Sequence, residues 1–341
     1  MNQMTHKERV IAAINKQDVD RVPLSIWYHM PHKDQDPISL AEEMIRVAKK
    51  YDFDFIKMCP YGNYVATDYG LSCDFFCTPT QPVKERFFRD LTAEEWENLP
   101  VFPAIYGTYG KTLQIAVETR RLLKQERDPQ MQELPILQTI FNPLTVAAKL
   151  VGMENLNKAI KTCPESVKKG LEAITQTQIN FINANIEAGV DGFFYASQTC
   201  REGAVSREVH AEFAEPYDIR VAQAYEGKTY FNVLHIHGEK TYWDIMAKYP
   251  GEVINWHDRW VAPTMADARK LSDKCFLGGI NESAVFGNPE YTADQVTAHV
   301  GEGILAAGKK GLMIGPGCVA HPDSVESHFY AARMACEQYA R

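Results

Sequence analysis

The sequence alternates short apolar runs with longer amphipathic segments, and this alternation limits the possible folds more than any other feature. Eight runs rich in Val, Ile and Phe recur along the 341 residues, at 21–27, 55–60, 135–141, 192–197, 230–238, 252–258, 275–281 and 311–318. The runs are continuous rather than alternating in polarity, as is typical of parallel strands that are buried on both faces. Strand–helix alternation predicts an α/β protein with a parallel sheet, and eight such units predict a (β/α)8 barrel.

We expect one domain over residues 1–341, because the chain contains no internal repeat, linker or low-complexity segment. Residues 61–130 interrupt the regular order and are rich in Tyr, Phe, Thr and Pro. We interpret them as an insertion after the second strand that lies over the barrel mouth. A doubly wound sheet is the alternative fold, but no G-x-G-x-x-G motif follows the first strand, which weighs against it.

Charge and cysteine usage exclude several classes of function. A formal net charge of −8 argues against a general nucleic-acid or membrane-surface binder. No apolar run reaches the ~18 residues that a membrane helix needs, and the N-terminal MNQMTHKERV lacks the apolar core of a signal peptide. The eight cysteines are scattered, which is typical of reduced thiols and predicts a cytoplasmic protein.

Polar residues concentrate at the carboxyl ends of the predicted strands, where barrel enzymes build their active sites. We expect catalytic roles for Glu282 as a general acid or base and for Tyr195 as a hydrogen-bond partner of the substrate. Asp258 is also expected to be catalytic, because it or its neighbour His257 could orient a metal-bound histidine. Each has a structural alternative. Glu282 is then a carboxylate at the start of a helix, Tyr195 is a packed ring, and Asp258 forms an ion pair with Arg259. The residues that we expect to bind substrate at the same ends are Asn142, Gln198, Trp256, Arg259 and Asn281.

The stretch NVLHIHGEK places two histidines, His235 and His237, at the end of the fifth strand. Side chains alternate along a strand, so both imidazoles point the same way. Cys318 ends the eighth strand inside IGPGC, and from there its thiol could meet both rings across the barrel mouth. Two nitrogens, one sulfur and an open fourth position describe a catalytic zinc site. The alternative is two hydrogen-bonded histidines and a core cysteine.

Five segments together resemble the uroporphyrinogen decarboxylase superfamily, and the resemblance covers nearly the whole chain. These segments are KERVIAAINKQDVDRVPLSIW, FNPLTVAAKLVG, LHIHGE, LGGIN and IGPGCVAHPDSVES. The resemblance implies a (β/α)8 barrel, in agreement with the number of strand runs. The superfamily includes decarboxylases that act without metal or cofactor and methyltransferases that work with cobalamin, so the resemblance by itself implies one of two chemistries.

The chain departs from the decarboxylase pattern at two places. True decarboxylases carry an arginine-rich segment after the first strand, where this chain has WYHMPHKDQDPIS, and a Gly-His-Gly at the eighth strand, where Pro316 replaces the histidine. A tetrapyrrole with many carboxylates needs several cations in its pocket. The methyltransferase branch carries His-x-Cys on the fifth strand and Cys on the eighth. This pattern implies a zinc set of His235, His237 and Cys318, with nitrogen in place of sulfur at the middle position.

The resemblance therefore implies a zinc-dependent methyltransferase that moves a methyl group between a corrinoid protein and a thiol or another small acceptor or donor. Transfer from a methoxylated or methylated-amine substrate is equally compatible. The alternatives are a uroporphyrinogen decarboxylase and a barrel that binds metal or ligand without catalysis. We expect zinc as the cofactor, a corrinoid protein and a small methyl donor or acceptor as partners, and a homodimer as the candidate assembly. The donor, the acceptor and the direction of transfer are left open.

Overall fold

The fold is that of a computed structural model, which describes residues 3–339. The strands in this range are β1 Ile56–Lys57, β2 Ser72–Asp74, β3 Lys84–Phe87, β4 Ile136–Phe141, β5 Gly192–Ser197, β6 Val233–Ile236, β7 Val253–Trp256, β8 Cys275–Ile280 and β9 Leu312–Pro316. The first eight helices are α1 His6–Ile14, α2 Pro37–Tyr51, α3 Tyr64–Thr67, α4 Ala93–Glu97, α5 Gly107–Lys124, α6 Pro129–Gln132, α7 Pro143–Val151 and α8 Met153–Thr162. The remaining helices are α9 Pro164–Glu187, α10 Arg207–Phe213, α11 Glu215–Tyr225, α12 Trp243–Met246, α13 Met265–Leu271, α14 Ala293–Ala307 and α15 Glu326–Gln338, with a π-helical turn at Glu282–Phe286.

Seven strands form one parallel sheet in the order β1-β4-β5-β6-β7-β8-β9. The segment around Leu24 joins the two edges of this sheet. Leu24 forms an isolated parallel bridge with Ile314 of β9, and the amide of Asp54, just before β1, donates to the Leu24 carbonyl at 2.8 Å. Leu24 therefore holds the eighth strand position, and the predicted (β/α)8 barrel is confirmed. The first predicted strand, 21–27, is reduced to this bridge, partly because Pro23 has no amide proton to donate.

Local sequence explains where several helices begin. The Thr5 side chain accepts from the amide of Glu8, and the Glu8 carboxylate accepts from the amide of Thr5. The same reciprocal pair of bonds starts α14, between Thr292 and Gln295. Each pair satisfies backbone amides that have no partner within the helix, so these turns hold the helices at fixed starting points around the sheet.

Residues 61–130 divide into two parts in the structure. The helix α5 packs against α2 and α9, so this part belongs to the outer helix layer around the sheet. The antiparallel hairpin formed by β2 and β3 lies at the barrel mouth, where Val83 and Glu85 reach the cavity that is described below. None of the described helices is long and apolar enough to cross a membrane.

The amino-terminal side of the sheet is closed by a buried ion cluster around Asp54. Its carboxylate accepts hydrogen bonds from Arg9 at 2.6 Å and from the amide of Leu24 at 2.8 Å, and it also pairs with Arg21 and His6. Burial alone would raise the pKa of Asp54, but Arg21, His6 and Arg9 hold this pKa well below its usual range. Paired charges therefore hold this end of the barrel together.

Candidate metal centre

A cavity of about 250 Å³ opens at the carboxyl ends of the strands and is lined by His235, His237 and Cys318. One ligand atom of each side chain lies within 4.8 Å of the ligand atoms of the other two. His235 belongs to β6, His237 follows it, and Cys318 stands two residues after β9. The structure thus brings together the three residues that were expected to bind a metal, while zinc itself stays a prediction.

Asn255 on the neighbouring strand β7 orients His235. The Asn255 amide nitrogen donates to the carbonyls of Leu277 and Pro316, at 2.8 and 3.1 Å, so its oxygen is left to face His235 Nδ1 at 2.6 Å. An acceptor at this distance requires the proton to be on Nδ1, which leaves the lone pair on Nε2. Metal-binding histidines are oriented in this way by a hydrogen bond to their second nitrogen. The arrangement therefore fits an imidazole that binds a metal through Nε2.

The other two candidate ligands are also in suitable chemical states. The Cys318 sulfur lies 3.5 Å from His237 Nδ1. Burial, together with nearby His257, Arg201 and Lys149, lowers the pKa of His237 to about 4, so its imidazole is neutral at pH 7. Burial raises the pKa of the Cys318 thiol to about 11. This thiol keeps its proton until a cation displaces it, so metal binding and proton release are coupled.

Two glycines let the chain before Cys318 lie against its neighbours. A Cβ on Gly317 would come within 2.7 Å of the His257 Cα and 2.9 Å of the Trp256 carbonyl. A Cβ on Gly315 would come within 3.0 Å of the Trp27 ring. Neither glycine has a positive φ, so the reason for glycine here is close approach rather than the sharp turn that glycine-rich segments often make.

A second polar pair lies beside the three candidate ligands. His257 Nδ1 is 2.6 Å from Glu282 Oε1, and the Trp260 indole also donates to this oxygen at 3.3 Å. The ring of His257 is centred 5.2 Å from that of His237. Both side chains of the pair are buried, yet His257 Nε2 and Glu282 Oε2 have no hydrogen-bond partner among the described residues. Glu282, which we expected to be catalytic, thus adjoins the three candidate ligands through His257.

Three other expected site residues do not line the cavity. Tyr195 is fully buried and donates to a carbonyl of α11, Trp256 donates to a carbonyl before α13, and Asp258 accepts from a backbone amide of β8. Alternation along the strands is the reason. On β7 the register that points His235 into the cavity also points Asn255 and His257 inward, so Trp256 and Asp258 face the helices.

The four remaining candidates also separate into those at the cavity and those away from it. Gln198 lines the cavity. Asn142 caps α7, and Asn281 caps the π-helical turn. Arg259 pairs with Glu302 at 3.1 Å. These three side chains hold the ends of structural elements together and do not reach the cavity.

The wall of the cavity also contains residues that the search of strand ends did not single out. They are Trp27, His29, Lys57, Thr139, Lys149 and Phe194. One signal for them is visible in the sequence, because Lys57 is a cation inside the otherwise apolar run FIKMC. Asn255 gave a similar signal as an amide in the middle of the apolar run EVINW.

Residues 5–339 match the family described as uroporphyrinogen decarboxylase (URO-D). Two curated relatives are methyltransferases. Over 328 residues the chain is 23% identical to the methylcobamide:CoM methyltransferase MtbA of Methanosarcina acetivorans, a match that covers 90% of this chain and 93% of the relative. Over 108 residues it is 28% identical to a methylated-thiol–coenzyme M methyltransferase of Methanosarcina mazei, covering 32% of this chain and 29% of the relative.

Solved structures share the fold at low sequence identity. A methyltransferase from Methanosarcina mazei superposes with a TM-score of 0.82 at 16% identity, covering 99% of this chain and 100% of that one. A B12-independent methionine synthase from Shewanella sp. W3-18-1 gives a TM-score of 0.56 at 13% identity, covering 94% and 92% of the two chains. At these identities the similarity shows the barrel fold alone.

Proposed function

The chain belongs to the uroporphyrinogen decarboxylase family, and from this premise we propose that it is a zinc-dependent methyltransferase that moves a methyl group between a corrinoid protein and a small thiol or other acceptor or donor. The observation that carries the proposal is the convergence of His235, His237 and Cys318, with Asn255 holding the first of them. The methyltransferase names of the two curated relatives support the same reaction class.

The cavity supports this reaction better than tetrapyrrole decarboxylation. Lys57 and Lys149 line it, but no arginine is among the described residues that do, whereas a substrate with many carboxylates needs several cations. The volume of the cavity, about 250 Å³, is also slightly smaller than the ~300–1,000 Å³ of pockets for drug-sized ligands. The cavity suits a small molecule.

When bound, zinc supplies a Lewis acid that lowers the pKa of a coordinated thiol. Asn255 presents Nε2 of His235, and burial keeps His237 neutral and ready to bind. His257 donates from Nδ1 to Glu282, which leaves its buried Nε2 without a partner among the described residues, beside the ring of His237. Glu282 acts through His257 by fixing this tautomer. The eight free cysteines suit the reducing cytoplasm, where we place the protein.

Metal analysis and a methyl-transfer assay test the proposal together. Purified protein should contain about one zinc per chain. It should also transfer the methyl group of free methylcobalamin to a small thiol, seen as loss of the methyl–cobalt absorbance. Chelation should abolish transfer, and added zinc should restore it. For the variant Cys318→Ser, which removes one proposed ligand, Cys163→Ser is a matched control. Cys163 stands before α9 and does not line the cavity. Transfer that survives complete removal of zinc would contradict the proposal.

A further inference from the structure

Cys59 is a buried thiol that lies between two groups able to carry positive charge. It stands two residues after β1 and has a residue exposure of 3%. Its sulfur lies 3.6 Å from His29 Nδ1, and the Lys57 ammonium donates to the same sulfur at 3.7 Å. Neighbouring cations stabilise a thiolate relative to the thiol, and the thiolate is the nucleophilic form of cysteine. Cys59 is therefore a candidate reactive site that is separate from the three proposed metal ligands.

The charges around Cys59 favour its thiolate. Burial alone would raise the pKa of Cys59, but His29 and Lys57 lower this pKa to about 7. Burial alone would lower the pKa of His29, whereas Cys59 and Asp34 raise it. Among residues 3–339, no carboxylate oxygen lies within the 4.0 Å of an ion pair with the Lys57 ammonium. Buried charges in proteins are normally paired, so a thiolate at Cys59 gives Lys57 the anionic partner that no carboxylate supplies.

Cys200 shows that contact with a histidine is not sufficient to form a thiolate. Its sulfur lies 3.8 Å from His210 Nε2, and the residue is also buried, with an exposure of 1%. Burial, together with Asp218 and Asp244, raises the pKa of Cys200 well above its usual range. Burial lowers the pKa of His210 to about 4, so this imidazole is neutral at pH 7. The difference at Cys59 is the direct contact between its sulfur and an ammonium.

The space beside Cys59 limits which molecules can reach its sulfur. A cavity of about 20 Å³ is lined by Cys59, Lys57 and Trp27, among others, and has room for about one water-sized molecule. Lys57 and Trp27 also line the larger cavity with the candidate metal ligands, whereas Cys59 does not. Cys59 therefore lies behind the wall of the larger cavity. A molecule close to water in size fits beside its sulfur, and a peptide such as glutathione disulfide does not.

We propose that Cys59 is a modification site, at which hydrogen peroxide oxidises the thiolate to a sulfenic acid. The sulfur attacks one peroxide oxygen, an S–O bond forms and the O–O bond breaks. Sulfur loses two electrons to the peroxide. The leaving hydroxide takes a proton from the His29 imidazolium and departs as water, and the sulfenic acid is left beside the Lys57 ammonium. The reaction needs neither zinc nor a methyl group, so it does not rest on the proposed function.

Trapping of the sulfenic acid tests this proposal. The purified protein is treated with hydrogen peroxide, which is then removed with catalase. The protein is next unfolded in dimedone, which labels sulfenic acids without having to enter the cavity, and peptide mass spectrometry identifies the labelled residues. Cys59 should be labelled faster than Cys77, which is exposed and reports access alone, and Cys200 should stay unlabelled. Faster labelling of Cys77 would overturn the inference.

Replacement of His29 tests whether the neighbouring charges control the reaction. The oxidation rate of wild-type Cys59 should be half-maximal at about pH 7, because it follows the thiolate. In His29→Gln the midpoint should rise to about pH 8.5 or above, where ordinary thiols ionise, so the rate at pH 7 should fall by about tenfold or more. Lys57→Met should raise the midpoint as well, and it provides a second test if His29→Gln fails to fold.

His32→Gln is the matched control for His29→Gln, because His32 lies three residues further along the same segment and is exposed. Its midpoint should equal that of the wild type. The same rise in midpoint in both histidine variants would overturn the inference, as would a wild-type midpoint in both His29→Gln and Lys57→Met. Glutathione disulfide should leave Cys59 of the folded protein unmodified, and a mixed disulfide at Cys59 would contradict the selection by size.

Discussion

Replacement of Asn255 by alanine should weaken zinc binding through His235, although the variant keeps all three proposed ligand residues. The wild-type Asn255 side chain is fully buried and makes three hydrogen bonds. One of them, at 2.6 Å, fixes the tautomer and ring orientation of His235. Alanine removes this bond, so the imidazole gains the freedom to rotate and to move its proton to Nε2. Both changes compete with metal binding.

The size of the effect follows from the bonds that are lost. Removal of a partner that orients a metal ligand typically costs about 10–100-fold in metal affinity, which corresponds to ~1.4–2.8 kcal/mol. The same substitution leaves the carbonyls of Leu277 and Pro316 without this donor in a buried position. Each unsatisfied buried group costs ~1–3 kcal/mol, so the loss of a donor to two carbonyls should lower the free energy of unfolding of the metal-free protein by about 2–6 kcal/mol.

The assay is competition for zinc between the protein and a chromophoric chelator, paired with urea denaturation of the metal-free protein. Gln138→Ala is a matched control, because Gln138 is also fully buried in the sheet and donates to Asn185 and to the Thr112 carbonyl, at 3.0 and 3.2 Å. It does not line the cavity. This control should lose a similar amount of stability and keep wild-type zinc affinity. The reasoning fails if both variants lose the same zinc affinity, or if Asn255→Ala loses none.

Three further outcomes are expected. Cys318→Ser should lower zinc affinity by more than about 100-fold, the upper end for loss of a residue that orients a ligand, and methyl transfer should be lost with it. Circular dichroism should show an unchanged fold. A wild-type zinc content would contradict this prediction. Gly317→Ala should also lower zinc affinity, because the added Cβ would lie 2.7 Å from the His257 Cα and displace the backbone there. A crystal structure of this variant with His257 unmoved would count against the argument. Burial lowers the pKa of His210 to about 4, from an ordinary value near 6.5, so protonation favours the unfolded chain. The free energy of unfolding should therefore fall by ~3 kcal/mol as the pH falls from 6.5 to 4, and urea denaturation of His210→Gln should show a smaller pH dependence than the wild type.

The barrel could be predicted from the sequence because its signals are local. Each strand run is apolar over its own length, and helix starts such as Thr5 and Thr292 carry their capping partners three residues away. The shared direction of His235 and His237 is equally local, since it depends only on alternation along one strand. The run at 21–27 is the exception, because Leu24 forms only an isolated bridge and this depends on how the ring closes.

The inward or outward direction of residues on the other strands was decided by the tertiary structure. A strand that is buried on both faces shows no polarity pattern along its length, so its sequence does not tell which alternate residues face the cavity. Tyr195, Trp256 and Asp258 therefore looked as suitable as Phe194, Asn255 and His257, which lie one position away. Only the pairing of neighbouring strands, such as His235 with Asn255, separates the two sets.

The meeting of distant residues also depends on the closed ring. Cys318 lies 81 residues beyond His237 in the chain, and its sulfur comes within 3.5 Å of that imidazole because β6 and β9 belong to one curved sheet. That Lys57 has no carboxylate within the 4.0 Å of an ion pair among the described residues was hidden in the sequence for the same reason. Whether a lysine has a carboxylate partner depends on every side chain that the fold brings within a few ångström, and the chain order contains no record of those distances.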